Sequence, residues 1–480
     1  MNFNILKENN TEWVINELLN GIELTKEQLD SVIKCMSSPT GKIILADEMG
    51  LGKTYICMGL IQLAKIQYPN KKILISTPKS VLKNFEKLIK ESTDSKVITS
   101  TGGLADINFL ENNYKNYDVI LVQHSFWINA EQSLLFIYNH IDDFSFTFFD
   151  EADFKNADGF DMFLEFMKNI PLGCISNATP IEDNTKLIYN LLYGCGVVNT
   201  EYNKFKNRYS RDVYRNDILV GSKVYVDKLY KDFSDYITVK NRSDIGLTTN
   251  IDINFRKIYP SKEQLSWMEC GMTKNLALYS PETYKRPEDM LYPVDANISN
   301  IPALKEVIKI IQSNNRKKII YVKNTKAIIQ ISKILNIIDK NPYIIDGKST
   351  KTDEQVKYVE NRFNEDDNGI MITNIIKGIN LNTAEELIIY NNPSNLQQLI
   401  YRMIRGFASK DVKVHWIYYK GYEEDSINKI LSKTKNVSNL LGRELDIITQ
   451  LEKEIGVYQN PNIPKWQNKW LNERKINNEL

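Results

Sequence analysis

The chain has 480 residues and a mass of 55.7 kDa, enough for two or three domains that each bury a core. Hydrophobic residues make up 42% and charged residues 25%, a globular composition that argues against a disordered chain. The formal net charge of +1 excludes a protein that is basic throughout, so any surface for nucleic acid must be a local patch.

Five scattered cysteines without a C-x-x-C pair favour reduced thiols over a disulfide framework or a zinc site. The first residues, MNFNILKENNTEW, lack an apolar signal-peptide core, and no run of about 18 apolar residues occurs in the chain. We therefore expect a soluble, intracellular protein that does not enter a membrane. The sequence does not distinguish cytoplasm, nucleus and virion.

Short apolar runs that end in polar or turn residues alternate with amphipathic stretches in the first half of the chain. The predicted strands are KIILAD (42–47), KKILIST (71–77), DVILVQ (118–123), FTFFDEAD (146–153) and GCISNATP (173–180). Continuous apolar strands that alternate with helices predict an α/β fold with a parallel sheet covered on both faces. Polar residues at the carboxyl ends of the strands would then share the edge where such folds bind ligands.

The stretch from about 185 to 300 is less regular, and the strand–helix alternation resumes after it. The second set of predicted strands is KKIIYVKN (317–324), PYIID (342–346), GIMITN (369–374), ELIIYNN (386–392) and KVHWIYY (413–419). We therefore predict two tandem α/β domains, at 1–248 and 249–450, followed by a charged helical tail at 451–480.

The stretch LADEMGLGKT (45–54) joins a predicted strand to a predicted helix and ends like a phosphate-binding loop, although Asp47 occupies the place of its first glycine. Glycines in such a turn let the backbone approach phosphate, and the N–H groups at the helix start form an anion nest. Lys53 would neutralise the β- and γ-phosphates, and Thr54 would supply a hydroxyl to Mg²⁺. The predicted ATP-binding residues of this loop are Met49, Gly50, Leu51, Gly52, Lys53 and Thr54.

A carboxylate pair in FTFFDEADF (146–154) ends another apolar strand downstream of this loop. Alone, an Asp-Glu pair is most often part of a solvated loop. Its position at the ligand edge of the predicted sheet favours a catalytic pair instead. Asp150 would hold Mg²⁺ and Glu151 would polarise the attacking water.

Two arginines in QQLIYRMIRG (397–406) complete the predicted catalytic set. Arg402 and Arg405 are three residues apart and so share one face of a helix. If the second domain closes on the first, they can reach the γ-phosphate of ATP, a contribution of about 10³–10⁵ in rate. A surface helix that carries ion pairs is the alternative interpretation of this stretch.

In this order, the motifs resemble those of superfamily-two helicase-like ATPases, most closely the Swi/Snf-like branch of double-stranded DNA translocases. LADEMGLGKT resembles that branch's own phosphate loop, and ELTKEQLDSVI (23–33) resembles the segment whose glutamine, here Gln28, recognises adenine. DEADFKN (150–156) resembles the branch's D-E-A-H-x-x-K-N, with Asp153 in place of the histidine while Lys155 and Asn156 match.

Further stretches extend the resemblance to about 20–450. NATPIEDN (177–184) resembles a coupling motif and assigns that role to Ala178, Thr179 and Pro180, and ISTPKSVLKNF (75–85) is similar to a motif that touches the nucleic-acid backbone. Residues 377–406 resemble two joined motifs of the second lobe, which adds Gly378 and Asn380 to the nucleotide-binding set. Two departures are YNNPSN in place of Asp-x-x-Trp-Asn-Pro and Phe407 in place of a glutamine.

The resemblance implies two RecA-like lobes with the ATP site in the cleft between them, and a motor that uses ATP and Mg²⁺ on duplex DNA. Phosphate contacts carry no sequence information, so binding would be independent of sequence. The predicted nucleic-acid contacts are Lys79, Ser80, Asn324 and Thr373. We also expect a monomer that a protein partner could direct to its target. The alternatives are a helicase that separates RNA or DNA strands and an ATP-gated clamp or transcription accessory factor.

Overall fold

A computed structural model describes much of the chain, and its described residues divide after Leu247 into two compact units. The described residues are 17–48, 50–128, 131–151, 157–178, 180, 185–215, 218–247, 249–262, 264, 301–347, 350, 352–375, 379, 381–393, 396–404, 410–420, 423, 426, 427 and 430. The predicted domain limits at 248 and 450 stay predictions, and the predicted tail at 451–480 lies outside the described residues.

Parallel strands form the sheet of the first unit. Its described strands are β1 (Lys42–Leu45), β2 (Lys72–Thr77), β3 (Val97–Ser100), β4 (Val119–Gln123), β5 (Phe144–Phe149), β6 (Leu172–Ser176), β7 (Ser210–Arg215), β8 (Ile218–Val224) and β9 (Ile237–Thr238). Seven of them pair in the order β3–β4–β2–β5–β6–β1–β9, whereas β7 and β8 form a separate antiparallel hairpin.

Helices cover both faces of this sheet. They are α1 (Lys26–Ser37), α2 (Lys53–Gln67), α3 (Leu82–Ser92), α4 (Leu104–Asn113), α5 (Glu131–His140), α6 (Ala157–Asn169), α7 (Lys186–Gly194), α8 (Tyr202–Tyr209) and α9 (Val226–Phe233). Neighbouring residues of β1 point into different cores, because Ile44 belongs to one buried cluster and Ile43 and Leu45 to another. A strand that is buried on both faces has to be apolar throughout, which explains the continuous hydrophobic runs.

The second unit repeats the same plan. Its described strands are β10 (Thr249–Ile258), β11 (Lys318–Tyr321), β12 (Tyr343–Ile345), β13 (Ile370–Thr373), β14 (Glu386–Ile389) and β15 (Lys410–Tyr419), and its helices are α10 (Pro302–Ser313), α11 (Thr325–Ile337), α12 (Asp353–Glu365) and α13 (Leu396–Met403). The strands are parallel in the order β10–β15–β14–β11–β13–β12. The predicted fold class is therefore confirmed: the chain contains two tandem RecA-like α/β lobes.

The region that the sequence marks as irregular holds more structure than expected. Between 185 and 258 lie three helices, the β7–β8 hairpin, the short strand β9 and the ten-residue strand β10. The pattern analysis also missed β3 and β9, whose sequences VITS and IT contain only two and one apolar residues and so form no apolar run. Within the described part of the chain, every helix is too short or too polar to traverse a lipid bilayer.

Candidate nucleotide site at the edge of the first sheet

The loop between β1 and α2 has the backbone conformation that a phosphate site requires. Gly50 and Gly52 have φ angles of +87° and +76°, in the left-handed region that favours glycine. Gly52 is the N-cap of α2, and a Cβ atom built on it would lie 2.4 Å from Nε2 of Gln28. The loop therefore brings backbone N–H groups to the start of a helix, where anions bind. Met49 lies outside the described residues.

Lys53 is the first residue of α2, and its side chain folds back over the loop. Its Nζ donates hydrogen bonds to the carbonyl oxygens of Asp47 at 2.7 Å and Glu48 at 3.1 Å. Burial lowers the pKa of Lys53, and the carboxylates around it, including Asp150 and Glu151, oppose that shift. Phosphate oxygens are stronger partners for an ammonium group than carbonyls, so this arrangement fits a triphosphate.

Asp150 and Glu151 follow β5 at the same edge of the sheet. The backbone N–H of Asp150 donates to the carbonyl of Ser76 on β2 at 2.9 Å, and Glu151 has a φ of +49°. Burial raises the pKa of Asp150 to about 6, and the charge of Glu151 adds to that rise while Lys53 opposes it. The structure thus brings Lys53 close to both carboxylates, and their catalytic roles stay predictions.

The donor set suits a metal that is held jointly with a nucleotide. Thr54 lies beside Lys53 in the first turn of α2 and is partly exposed. In the described part of the chain, no group of three or more His, Cys, Asp or Glu side chains is arranged to hold a metal ion. Magnesium commonly binds one or two protein ligands and takes its other ligands from phosphates and water, so Thr54 and Asp150 fit that chemistry.

Gln28 connects the start of α1 to the phosphate loop. Its Oε1 accepts a hydrogen bond from the backbone N–H of Thr25 at 3.0 Å, which completes a capping box. Its Nε2 donates to the carbonyl of Leu51 at 3.0 Å. The amide has two N–H groups and two acceptor positions, so these bonds leave it able to bind adenine, and adenine recognition stays a prediction.

Sequence reasoning gave no role to the two acidic residues of the loop, Asp47 and Glu48. Glu48 is buried and its Oε2 accepts a hydrogen bond from the backbone N–H of Arg242 at 2.8 Å, while its own N–H donates to the carbonyl of Lys240. Asp47 is also buried, and burial raises its pKa. These contacts tie the phosphate loop to the segment after β9. The only sequence signal for them was the Asp-Glu pair inside LADEMGLGKT.

Several predicted site residues keep the status of predictions. Ala178 is partly buried and Pro180 is buried after β6, but Thr179 lies outside the described residues. Arg402 on α13 is buried. Arg405, Gly378 and Asn380 also lie outside the described residues, so the predicted action of the two arginines on the γ-phosphate is untested.

The predicted nucleic-acid contacts differ in accessibility. Lys79, just after β2, and Asn324, just before α11, are exposed. Thr373 at the end of β13 is fully buried, and its hydroxyl accepts a hydrogen bond from the backbone N–H of Ile375 at 3.0 Å. Because a buried hydroxyl in this position is not accessible to a nucleic acid, we leave Thr373 out of the proposed interface.

Comparison with protein-family models assigns the chain to a family. The model of the SNF2-related domain matches residues 25–280, which is more than half of the chain. The chain belongs to the SNF2-related family. The model of the helicase conserved C-terminal domain matches residues 301–407, in the second unit. This member of the SNF2-related family is therefore an ATP-hydrolysing, helicase-like enzyme and an ATP-dependent nucleic-acid motor of the Swi/Snf type, which confirms the resemblance drawn from the motifs.

Among solved structures, the chain is similar to the Sulfolobus solfataricus SWI2/SNF2 ATPase core in complex with dsDNA. The two sequences are 17% identical, the match covers 91% of this chain and 98% of that chain, and the TM-score is 0.40. No curated protein matches the chain.

Proposed function

We propose that this motor is a translocase that moves along double-stranded DNA and couples its movement to ATP hydrolysis. The observation that carries the proposal is the meeting of Lys53, Asp150 and Glu151 at one sheet edge in a chain that matches both the SNF2-related and the helicase C-terminal families. The form LADEMGLGKT, together with Lys155 and Asn156, resembles the duplex-translocating branch and supports duplex DNA as the track.

In the proposed reaction, Lys53 and the loop N–H groups bind the β- and γ-phosphates of ATP. Thr54 and Asp150 would hold Mg²⁺, which would supply positive charge next to the phosphates. Glu151 would polarise a water molecule and take its proton as the water attacks the γ-phosphorus in line. The bond between the γ-phosphorus and the β–γ bridging oxygen breaks, and ADP leaves with that oxygen. The ionised carboxylate is the form that accepts the proton of the water.

The second unit would complete the site when the two units close around ATP. Arg402 and Arg405 would then stabilise the charge that develops on the γ-phosphate, which is worth about 10³–10⁵ in rate in enzymes that use such arginines. Alternating closure and reopening would change the spacing of the units along the track. If each unit grips phosphates in only one nucleotide state, this cycle moves the enzyme in one direction.

The proposed grip consists of phosphate contacts from the loop after β2, with Lys79 and Ser80, and from Asn324 at the start of α11. Contacts of this kind do not read bases, so the track would be chosen by its backbone rather than its sequence. Binding would weaken steeply with added salt because each neutralised phosphate releases counterions.

The decisive experiment measures steady-state ATP hydrolysis without nucleic acid and with duplex DNA, single-stranded DNA or RNA, at two salt concentrations. We expect duplex DNA to stimulate turnover most, and we expect displacement of a third strand from triplex DNA to follow ATP hydrolysis. The variant Lys53→Ala serves as the inactive control. An ATPase rate that duplex DNA leaves unchanged would rule out the translocase.

A second candidate is a helicase that separates strands, and one feature of the first unit favours it. The β7–β8 hairpin pairs with no other described strand of the first unit, and a hairpin of this kind can serve as a wedge between two strands. Strand displacement on tailed DNA and RNA duplexes distinguishes this candidate from a translocase. The ATP-gated clamp is the weaker alternative, because the family assignment is that of an ATP-hydrolysing enzyme.

A further inference from the structure

His124 links three strands at the edge of the first sheet. It follows β4 directly, and its Nδ1 lies 2.9 Å from Oγ of Ser76 on the neighbouring strand β2. Its Nε2 lies 2.9 Å from the carbonyl oxygen of Asp150, at the end of the next strand, β5. The imidazole ring stacks on Phe149 with centroids 4.3 Å apart and an angle of 5° between the planes. These hydrogen bonds and the stacking contact hold the ring in place.

The chemistry of the partners sets the direction of these hydrogen bonds. A carbonyl oxygen can only accept, so Nε2 of His124 carries the proton that bonds to Asp150. In the neutral ring Nδ1 then accepts from the hydroxyl of Ser76, whose oxygen in turn accepts from the indole N–H of Trp127 at 3.1 Å. Ser76 and Trp127 are buried, which shields the hydrogen bond between them from competing water.

The acceptor at the end of this chain is the peptide group that joins the two catalytic carboxylates. The carbonyl of Asp150 and the N–H of Glu151 share one plane, so a bond that holds the carbonyl also holds the backbone of Glu151. Glu151 is one of only two non-glycine residues with a positive φ in the described part of the chain. Side chains other than glycine rarely adopt that conformation, and it persists only where the surroundings impose it.

We propose that His124 is a positioning residue for ATP hydrolysis, which sets the place of the Glu151 carboxylate through its bond to the Asp150 carbonyl. The inference rests on the proposed roles of Asp150 and Glu151. A base must lie within hydrogen-bonding reach of the water that it activates, so a displaced Glu151 lowers kcat. The contacts described for His124 are to Ser76, Asp150 and Phe149 rather than to the phosphate loop, so we expect KM for ATP to stay the same.

Two substitutions of His124 separate its bond to Asp150 from its other contacts. Glutamine places its amide nitrogen where Nε2 of the histidine lies and keeps a donor for the carbonyl, whereas asparagine reaches only as far as Nδ1. We expect His124→Asn to lower kcat by about tenfold to hundredfold, as misplacement of a catalytic group does. We expect His124→Gln to keep kcat within about threefold, and both variants to keep KM within about twofold.

His140 offers a matched control in the same unit. Its Nδ1 lies 2.9 Å from the hydroxyl of Tyr114 and its Nε2 lies 2.7 Å from Oε1 of Glu111, so it also bridges two partners. Unlike the partners of His124, these do not include the residues that follow β5. We expect His140→Asn to leave kcat unchanged, even if its melting temperature falls as far as that of His124→Asn. Ser76→Ala provides a second variant, which removes the partner of Nδ1 and should lower kcat by about threefold to tenfold.

The outcomes separate this inference from the proposed function. The inference is wrong if folded His124→Asn and Ser76→Ala both keep the wild-type kcat, or if His124→Gln loses as much activity as His124→Asn. If His124→Asn does not fold, Ser76→Ala and His124→Gln decide the matter by the same criteria. A Glu151→Gln variant with the wild-type rate would instead overturn the catalytic pair itself, and the positioning role with it.

Discussion

Each unit contains a cluster of buried or partly buried charged side chains, and the two clusters lie at opposite ends of their respective sheets. In the first unit, Asp47, Lys53 and Asp150 lie beyond the carboxyl ends of β1 and β5, where open α/β folds bind ligands. In the second unit, Lys318 and Glu386 are the first residues of β11 and β14, at the amino ends of the strands. Nζ of Lys318 and Nε2 of His415 lie 3.6 Å and 3.5 Å from Oε2 of Glu386.

The directions of the pKa shifts distinguish the two clusters. Burial raises the pKa of Asp47 and raises that of Asp150 to about 6, so the protein alone does not stabilise these charges. Burial acts in the same direction on Glu386, but His415, Lys318 and Asn314 outweigh it and lower its pKa to about 2. A buried carboxylate that its own protein leaves poorly compensated is suited to a ligand, whereas a compensated carboxylate serves the fold.

The largest effect that this comparison predicts is on turnover. Glu151→Gln keeps the shape of the side chain but removes the proposed base, so we expect the DNA-stimulated ATPase rate to fall by about 10²–10⁴. Its free energy of unfolding should change by less than about 0.5 kcal/mol, as for substitutions outside the core. The control is Glu91→Gln, which removes an exposed partner 3.7 Å from Lys87 and should leave the rate unchanged. A rate within tenfold of the wild type would remove Glu151 from the mechanism.

In the second unit the same kind of substitution should affect stability instead. Glu386→Gln leaves the buried ammonium of Lys318 without its counter-charge, so we expect a loss of about 3–5 kcal/mol in the free energy of unfolding. Urea denaturation measures this loss, and Lys309→Gln, which removes an exposed charge, is the control. Combining Glu386→Gln with Lys318→Met should restore much of the stability. No restoration would mean that the cluster stabilises the fold by something other than charge compensation.

The two clusters should also respond to pH in different ranges and through different properties, metal affinity in the first unit and stability in the second. If Asp150 holds Mg²⁺ as proposed, protons compete with the metal for it below about pH 6, and the affinity for Mg²⁺ in the presence of ATP should fall by up to about tenfold per pH unit there. The lowered pKa of Glu386 contributes stability above about pH 4.5, and that contribution is lost as the pH falls through about 2. Mg²⁺ titrations followed by the ATPase rate test the expectation for Asp150. Urea denaturation between about pH 4.5 and 2 tests the expectation for Glu386. A metal affinity that is constant from pH 7 to 5 would contradict the role of Asp150.

The smallest predicted effect concerns the backbone of the phosphate loop. Gly52→Ala places a Cβ atom at a φ of +76° and 2.4 Å from the movable amide of Gln28, so we expect a cost of about 1 kcal/mol and a roughly fivefold rise in KM for ATP. Gly196 has a φ of +73°, and a Cβ atom built on it would meet no other residue within 4 Å. Gly196→Ala is therefore a control with the same backbone strain. The control should lose similar stability without any change in KM. Equal KM values for the two variants would show that the loop tolerates a side chain.

Local patterns along the chain were enough to predict the two α/β units, the phosphate loop and the carboxylate pair. Continuous apolar strands and the Gly-Lys-Thr ending are short-range signals, because burial on both faces and the start of a helix each impose their own residue types. The family followed from the order of these motifs, and the family models confirm it. The positions of the short strands β3 and β9 could not be predicted in this way.

The order of the strands decided what each loop residue contacts. His124 and Asp150 are 26 residues apart in the sequence. They meet because β4, β2 and β5 are consecutive parallel strands, whose carboxyl ends lie at the same edge of the sheet. Glu48 and Arg242 are separated by 194 residues and meet because β9 pairs with β1, and the burial of Thr373 likewise depends on its neighbours in the second sheet. A hydrogen bond is formed between groups that are close in space, and that proximity is a property of the packed sheet rather than of any sequence window.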